Sequence, residues 1–125
     1  MALTANSFLK IISVAISGPE ATANTLSRTY TDRIEDPTTI AIYYNGQLIQ
    51  NASFDVTSKF YYTIARSLGT IDGITGVDSG STALFTMLPN PAYTAPGYAS
   101  GTSTDTLSIF DTFTISYYYV VYTAD

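Results

Sequence analysis

The sequence predicts a single all-β domain, an antiparallel β-sandwich or jelly-roll-like fold with long strands and at most one short helix. Several segments alternate apolar and polar residues with a period of two, and they are rich in β-branched and aromatic residues. Clusters of glycine and proline separate these segments. The chain has 125 residues, the usual size of one domain, and its 46% hydrophobic content supplies one core.

The N-terminal third of the chain predicts two strands. The first covers residues 8–16, a β-branched run closed by Gly18-Pro19. Residues 20–27 are small and polar, which favours a connection. Residues 28–34 predict a short edge strand that ends before Pro37.

A hairpin is the clearest local signal. Asn45-Gly46 lies between two β-forming runs and indicates a type I′ turn, because both turn positions need positive φ and these two residues tolerate it best. A two-residue turn places Ile42 opposite Ile49. It also places Tyr43 opposite Leu48, so both faces of the hairpin carry apolar pairs and neither is plainly the solvent face.

The middle of the chain predicts two more strands. Alternation from Ala52 onwards indicates a long half-buried strand, although segment 58–68 also fits a helix that begins at Ser58 and ends at Gly69. The period-two alternation favours the strand. Residues 69–80 form a glycine-rich loop and residues 81–88 a strand. Residues 89–105 form a long connection of the kind that is usually functional or packed on a neighbour.

The last predicted strand, residues 106–122, begins half-exposed and ends apolar on both faces. Unbroken from residue 107, it would span roughly 50 Å at about 3.3 Å per residue. It therefore either breaks near Asp111 or projects into a neighbouring subunit. We expect more aromatic surface here than one small domain can bury, which predicts an interface with another subunit. The predicted interface residues are Tyr117, Tyr118, Tyr119, Val120, Val121, Tyr122, Tyr93 and Tyr98.

The residues available for chemistry argue against an enzyme. Without His or Cys, the chain lacks the commonest general base, the strongest nucleophile and the usual zinc ligands, so we expect no catalytic residues, no cofactor and no metal. Glu35 and Asp36, with Asp32 nearby, are interpreted as a solvated turn. Asp72 and Asp78 lie in the glycine-rich loop, but their spacing does not fit an EF-hand; calcium there stays an open alternative.

Charge and hydropathy exclude further classes. The net charge is −5 and residues 67–125 contain no Lys or Arg, which argues against nucleic-acid binding. The longest apolar stretch near the N-terminus is too short to span a bilayer, so no membrane partner is expected. Nothing basic precedes Lys10 as a secretory signal would require, and if Met1 is the natural start the chain is made in the cytosol.

Only 12% of the residues are charged, which indicates a neutral, hydrogen-bonding surface that costs little to cover. We therefore expect a non-enzymatic, self-assembling structural protein with no small-molecule substrate, whose partners are copies of itself and other structural subunits. The favoured setting is a virion, as a capsid, decoration or tail subunit made in a host cytoplasm. The alternatives are a ligand- or carbohydrate-binding β-sandwich module that uses loops 69–80 and 89–105, and a subunit of a cell-surface filament.

Overall fold

A computed structural model describes residues 2–51, 58–93 and 107–125. Within these ranges the chain is mostly strand with one short α-helix, which confirms the predicted all-β class. A short 3₁₀ helix, Pro37–Thr39, precedes the hairpin. The elements are β1 Leu3–Val14, α1 Gly18–Ala23, β2 Leu26–Tyr30, β3 Ala41–Tyr44, β4 Gln47–Ile49, β5 Phe60–Ser67, β6 Thr70–Ile71, β7 Asp78–Ser79, β8 Thr82–Pro89 and β9 Phe113–Ala124.

Two antiparallel sheets pack face to face as a sandwich. The long sheet has four strands in the order β1-β9-β3-β4, and the short sheet has three in the order β2-β8-β5. Strands β6 and β7 form a small separate ribbon. The long sheet is anchored by β9, which pairs with β1 along all twelve of its residues and with β3 through Phe113–Ser116.

The core lies between the two sheets and is built around aromatic rings. Phe113 of β9 meets Phe60 of β5 nearly at right angles, with ring centroids 5.9 Å apart. Tyr117 of β9 stacks on Phe85 of β8 at 5.8 Å. All four side chains are fully buried. Large rings contribute the most apolar area per residue, so these contacts fix the two sheets against each other.

The predicted hairpin is confirmed in turn and in register. Asn45 and Gly46 both have positive φ, 48° and 83°. Ile42 pairs with Ile49 and both are buried, whereas Tyr43 pairs with Leu48 and both are exposed. Both faces of the hairpin are apolar, as predicted, and the sandwich covers only one of them.

The competing helix in the middle of the chain does not form. Residues 60–67 are strand β5, paired with β8 in the centre of the short sheet, in agreement with the period-two alternation. The earlier part of that predicted strand, residues 52–57, lies outside the described residues.

The expected connection at residues 20–27 was wrong, because it contains most of helix α1 and the start of β2. A capping box begins the helix: the Ser17 hydroxyl accepts from the Glu20 N–H, and the Glu20 carboxylate accepts from the Ser17 N–H. This Ser-x-x-Glu pattern was visible in the sequence. A six-residue helix is stable here because its ends are satisfied locally.

The last predicted strand breaks near Asp111 and does not continue from residue 107. Residues 107–112 form a turn before β9 begins at Phe113. The Asp111 carboxylate holds this turn by accepting from the Tyr44 hydroxyl at 2.9 Å, from the Asn45 amide at 3.0 Å and from the Ser108 N–H at 2.9 Å. Burial alone would raise the pKa of Asp111, but these hydrogen bonds lower it. β9 then lies between β1 and β3 instead of leaving the domain.

The Glu20→Gln variant tests the ion pair that fastens α1 to the short sheet. The Arg28 guanidinium donates to both Glu20 carboxylate oxygens and to the Ala15 carbonyl. Its hydrogen bonds to Glu20, together with those between Glu20 and Ser17, lower the pKa of Glu20 from its ordinary 4.5 to about 2. Because the folded-state pKa is depressed, the pair stabilises the fold above about pH 4.5, and this contribution disappears as the pH falls to about 2. We expect E20Q to lose about 1 kcal/mol of unfolding free energy at pH 7. In urea titrations the difference from the parent chain should vanish near pH 2, and a difference independent of pH would contradict the ion pair.

Candidate interaction surface

The outward side of the long sheet carries several exposed apolar side chains. In β9 the odd-numbered residues 113, 115 and 117 face the core, so the even-numbered ones face outward, together with their partners on the neighbouring strands. Leu9 pairs with Tyr118 at one end of the group, and Tyr43 pairs with Leu48 at the other. Their exposed fractions range from 37% to 65%. We call this group the apolar face; its members are Leu9, Ile11, Tyr43, Leu48 and Tyr118.

Small uncharged residues fill the space between these side chains. Ile11 pairs with Ser116, and Ser116 pairs with Ala41 on the other side. Thr114 connects Ser13 to Tyr43 in the next row. None of these residues is charged, so a partner could cover the apolar face without desolvating a Lys or a carboxylate.

The outward side of the short sheet is different in chemistry. Its central row joins Ser27, Thr86 and Thr63 across three strands. Leu84 is its one exposed large apolar side chain among the described residues. Of the two outer faces of the sandwich, that of the long sheet therefore carries more exposed large apolar side chains. Others, including Ile74 and Phe110, lie in turns outside the two sheets.

Tyr117 does not belong to any exposed surface, which corrects one predicted interface residue. Its ring is fully buried against Phe85, and its hydroxyl donates to Asp32 at 2.5 Å. Burial is the main cause that raises the pKa of Tyr117 well above its ordinary value, and the hydrogen bond to Asp32 is the second. Lys10 donates to the same Asp32 carboxylate at 2.8 Å. Tyr117 is thus a core residue of its own chain.

The remaining predicted interface residues differ in their exposure. Tyr118 and Val121 are exposed, whereas Tyr119, Val120 and Tyr122 are half-buried. Tyr93 is buried, and Tyr98 lies outside the described residues.

The end of β9 is covered by its own chain. The Val120 N–H donates to the Arg33 carbonyl at 2.9 Å, and the Tyr122 hydroxyl donates to Glu35 at 2.9 Å. Segment 31–35 therefore lies against β9 at Val120 and Tyr122, two of the predicted interface residues. Of the predicted set, Tyr118 alone lies on the apolar face.

Four members of the apolar face were missed at the sequence level: Leu9, Ile11, Tyr43 and Leu48. Their signal was present, because the hairpin and the first strand are apolar at both odd and even positions. Such a pattern indicates burial on both faces, so it cannot tell which face the domain covers and which it leaves exposed.

A cavity of about 300 Å³ lies between the end of β9 and the loop of residues 72–78, and its lining includes Arg33 and Asp78. The Arg33 guanidinium donates to Glu35 at 2.9 Å and to the Gly69 carbonyl at 2.7 Å, and it lies 3.8 Å from Asp78. The hydrogen bond from Arg33 lowers the pKa of Glu35. Because these polar groups already bind one another, the cavity offers few of the free, convergent groups that a ligand site needs.

The acidic residues considered for chemistry have local structural partners. The Asp72 carboxylate accepts from the N–H groups of Ile74 and Thr75, at 2.7 and 3.1 Å. Asp36 caps the 3₁₀ helix by accepting from the Thr38 N–H. Across the described parts of the chain, no group of three or more acidic or other metal-ligating side chains is close enough to hold a metal ion.

Within residues 2–51, 58–93 and 107–125, no helix has the length and apolar character needed to cross a membrane.

Comparison of the chain with protein-family models, curated proteins and solved structures found no match.

Alanine substitutions of two adjacent tyrosines test the assignment of core and surface. Tyr117→Ala should lower the free energy of unfolding by about 3–5 kcal/mol, because it leaves a large cavity in the aromatic core. Tyr118→Ala should change it by less than about 0.5 kcal/mol. Urea unfolding followed by circular dichroism, at one dilute protein concentration, measures both values. If both variants lost the same free energy of unfolding, the assignment of Tyr117 to the core and Tyr118 to the surface would be wrong.

Proposed function

We propose that this protein is a non-enzymatic structural subunit that assembles with copies of itself through the apolar face. The observation that carries the proposal is the contrast between the two outer faces of the sandwich. One has exposed leucine, isoleucine and tyrosine side chains set among serine and threonine, and the other has mainly hydroxyl groups. A face of the first kind gains stability when it is covered.

The composition of the apolar face suits contact between identical subunits. Net charge −5 makes copies of the chain repel one another, but no charged side chain lies among these residues. The contact therefore brings together only neutral groups. Tyr43 and Tyr118 each offer a large apolar ring with a hydroxyl that can stay hydrated at the rim, the combination enriched at protein interfaces.

For the assembly itself we propose a virion component, such as a capsid, decoration or tail subunit. Three features of the sequence support this assignment: few charges, no cysteine, and a surface rich in Ser, Thr and Tyr. In such a particle the second half of the chain, which has no Lys or Arg, would face protein or solvent and not a genome.

Lysine substitutions on the two outer faces test the proposal against a matched control. Ile11→Lys places a charge in the middle of the apolar face, whereas Leu84→Lys places the same charge on the outer face of the short sheet. We expect the parent chain and L84K to sediment as oligomers, and I11K to dissociate at least tenfold more readily, because the contact would bury an unpaired charge. Sedimentation velocity over a wide range of protein concentration measures this, and thermal melts verify the fold.

Negative-stain images of the same samples report on the kind of assembly. Rings, shells or tubes in the parent chain and L84K, lost in I11K, support a structural subunit. A parent chain that stays monomeric at every concentration would overturn self-assembly. Binding of that monomer on a glycan array would then favour the carbohydrate-binding alternative.

A further inference from the structure

Among the described residues, the first strand has a long row of backbone groups that no other strand pairs with. β1 is an edge of the long sheet, and its one partner among the described strands is β9. The Val120 N–H donates to the Arg33 carbonyl, and the carbonyl of Thr112, just before β9, accepts from the Asn45 N–H. The even-numbered residues of this segment therefore direct their backbone groups away from β1. Odd-numbered residues of β9 therefore bond to even-numbered residues of β1. The odd-numbered residues of β1, from 3 to 13, direct their N–H and C=O groups outward.

This edge lacks most of the features that usually protect an exposed strand. β1 contains no proline, and its register against β9 runs without a bulge over all twelve residues. Its single charged residue is Lys10, whose ammonium group binds Asp32 at 2.8 Å on the core side. A long, regular and nearly uncharged edge favours the addition of another strand.

We propose that β1 pairs antiparallel with β1 of a second copy, across a two-fold axis at Phe8, so that two long sheets join into one continuous sheet. This inference rests on the proposed self-assembly and names a second contact for it. The occupant is a second copy because β1 is complementary to itself in this register, in both its backbone and its side chains.

The backbone favours the axis at Phe8. An axis there places every odd-numbered residue from 3 to 13 opposite an odd-numbered residue of the second copy, for example Ser7 opposite Leu9. Each such pair exchanges two hydrogen bonds, which gives about twelve across the contact. Moving the axis by one residue in either direction loses at least one of these pairs.

The side chains favour the same register. Phe8 is 48% exposed, and its ring lies 5.7 Å from that of Tyr119. With the axis at Phe8, the two Phe8 rings face each other and each is backed by its own Tyr119, which covers aromatic surface that the monomer leaves open.

Charge repulsion disfavours an axis moved by two residues, to Lys10. An axis at Lys10 would place the two lysines directly opposite each other. With the axis at Phe8, Lys10 instead lies opposite Asn6 of the second copy, and the two lysines are about 13 Å apart along the strands. That separation exceeds the screening length of about 8 Å at physiological salt.

The size of the contact shows how it combines with the apolar face. A strand of twelve residues is about 40 Å long, and with a thickness of about 10 Å the paired edges bury on the order of 800 Å² in total. Stable interfaces usually bury at least about 1,200 Å². Edge pairing is therefore a weak contact alone, but it joins the Leu9 and Ile11 side chains of two copies into one larger apolar surface.

Cysteine cross-linking tests the register, because the chain has no native cysteine. Opposed residues at Phe8 form a non-hydrogen-bonded pair with Cα atoms about 4.5 Å apart, a distance that a disulfide spans. Phe8→Cys should form a covalent dimer under mild oxidation, seen on a non-reducing gel. Thr4→Cys, on the same face of β1, should stay monomeric, because the two copies of residue 4 would lie about 26 Å apart.

A proline placed at the edge separates this contact from the apolar face. Ser7 directs its N–H outward, so Ser7→Pro removes a donor to the second copy without breaking a bond to β9. In the F8C background we expect S7P to slow cross-linking at least tenfold, while circular dichroism shows an unchanged fold.

Different results would contradict the edge contact and the contact through the apolar face. If the parent chain assembles but F8C does not cross-link, or cross-links no faster than T4C, the edge contact is wrong and assembly through the apolar face stands. If I11K assembles like the parent chain while F8C cross-links, the edge is correct and the apolar face is not the interface.

Discussion

The structure depends on the packing of β9 against the short sheet. Phe113 and Tyr117 are adjacent on the inner face of β9, and they meet Phe60 and Phe85 from the other layer. These rings are fully buried, so any rotation of the strand would expose them and place polar or half-exposed residues in the core. Every other strand of the long sheet takes its orientation from β9. Strands β1 and β3 pair with β9 directly, and β4 is joined to it through β3.

Once β9 is fixed, the outer surface follows from pairing geometry. Side chains alternate along each strand, so the residues beside Tyr118 and Thr114 must point outward whatever their polarity. A two-layer sandwich of this length has no third layer in its described parts to cover them. The apolar face and the open edge of β1 thus arise from one cause, which is the position of β9 inside the sheet and of β1 outside it.

The charged residues that the structure describes lie away from the apolar face. Among the described residues, Lys10, Arg28 and Arg33 form ion pairs with acidic residues. Arg28 fastens the helix, Arg33 holds the segment that covers the end of β9, and Lys10 supports the Asp32 that binds Tyr117. The charges therefore order loops and ends of the fold, which leaves one outer face to neutral side chains.

The sequence alone determined the features that depend on near neighbours: the all-β class and the Asn45-Gly46 turn with its register. It left open whether the last strand breaks near Asp111 or leaves the domain, and the structure has the break. Even the missed helix had a local signal in its capping box. Only the tertiary structure decided that Tyr117 is buried and Tyr118 exposed, and that Leu9 and Ile11 join Tyr43 on one surface. The physical reason is that alternation assigns residues to two faces, but when both faces are apolar only the packing of distant strands determines which one the chain can cover.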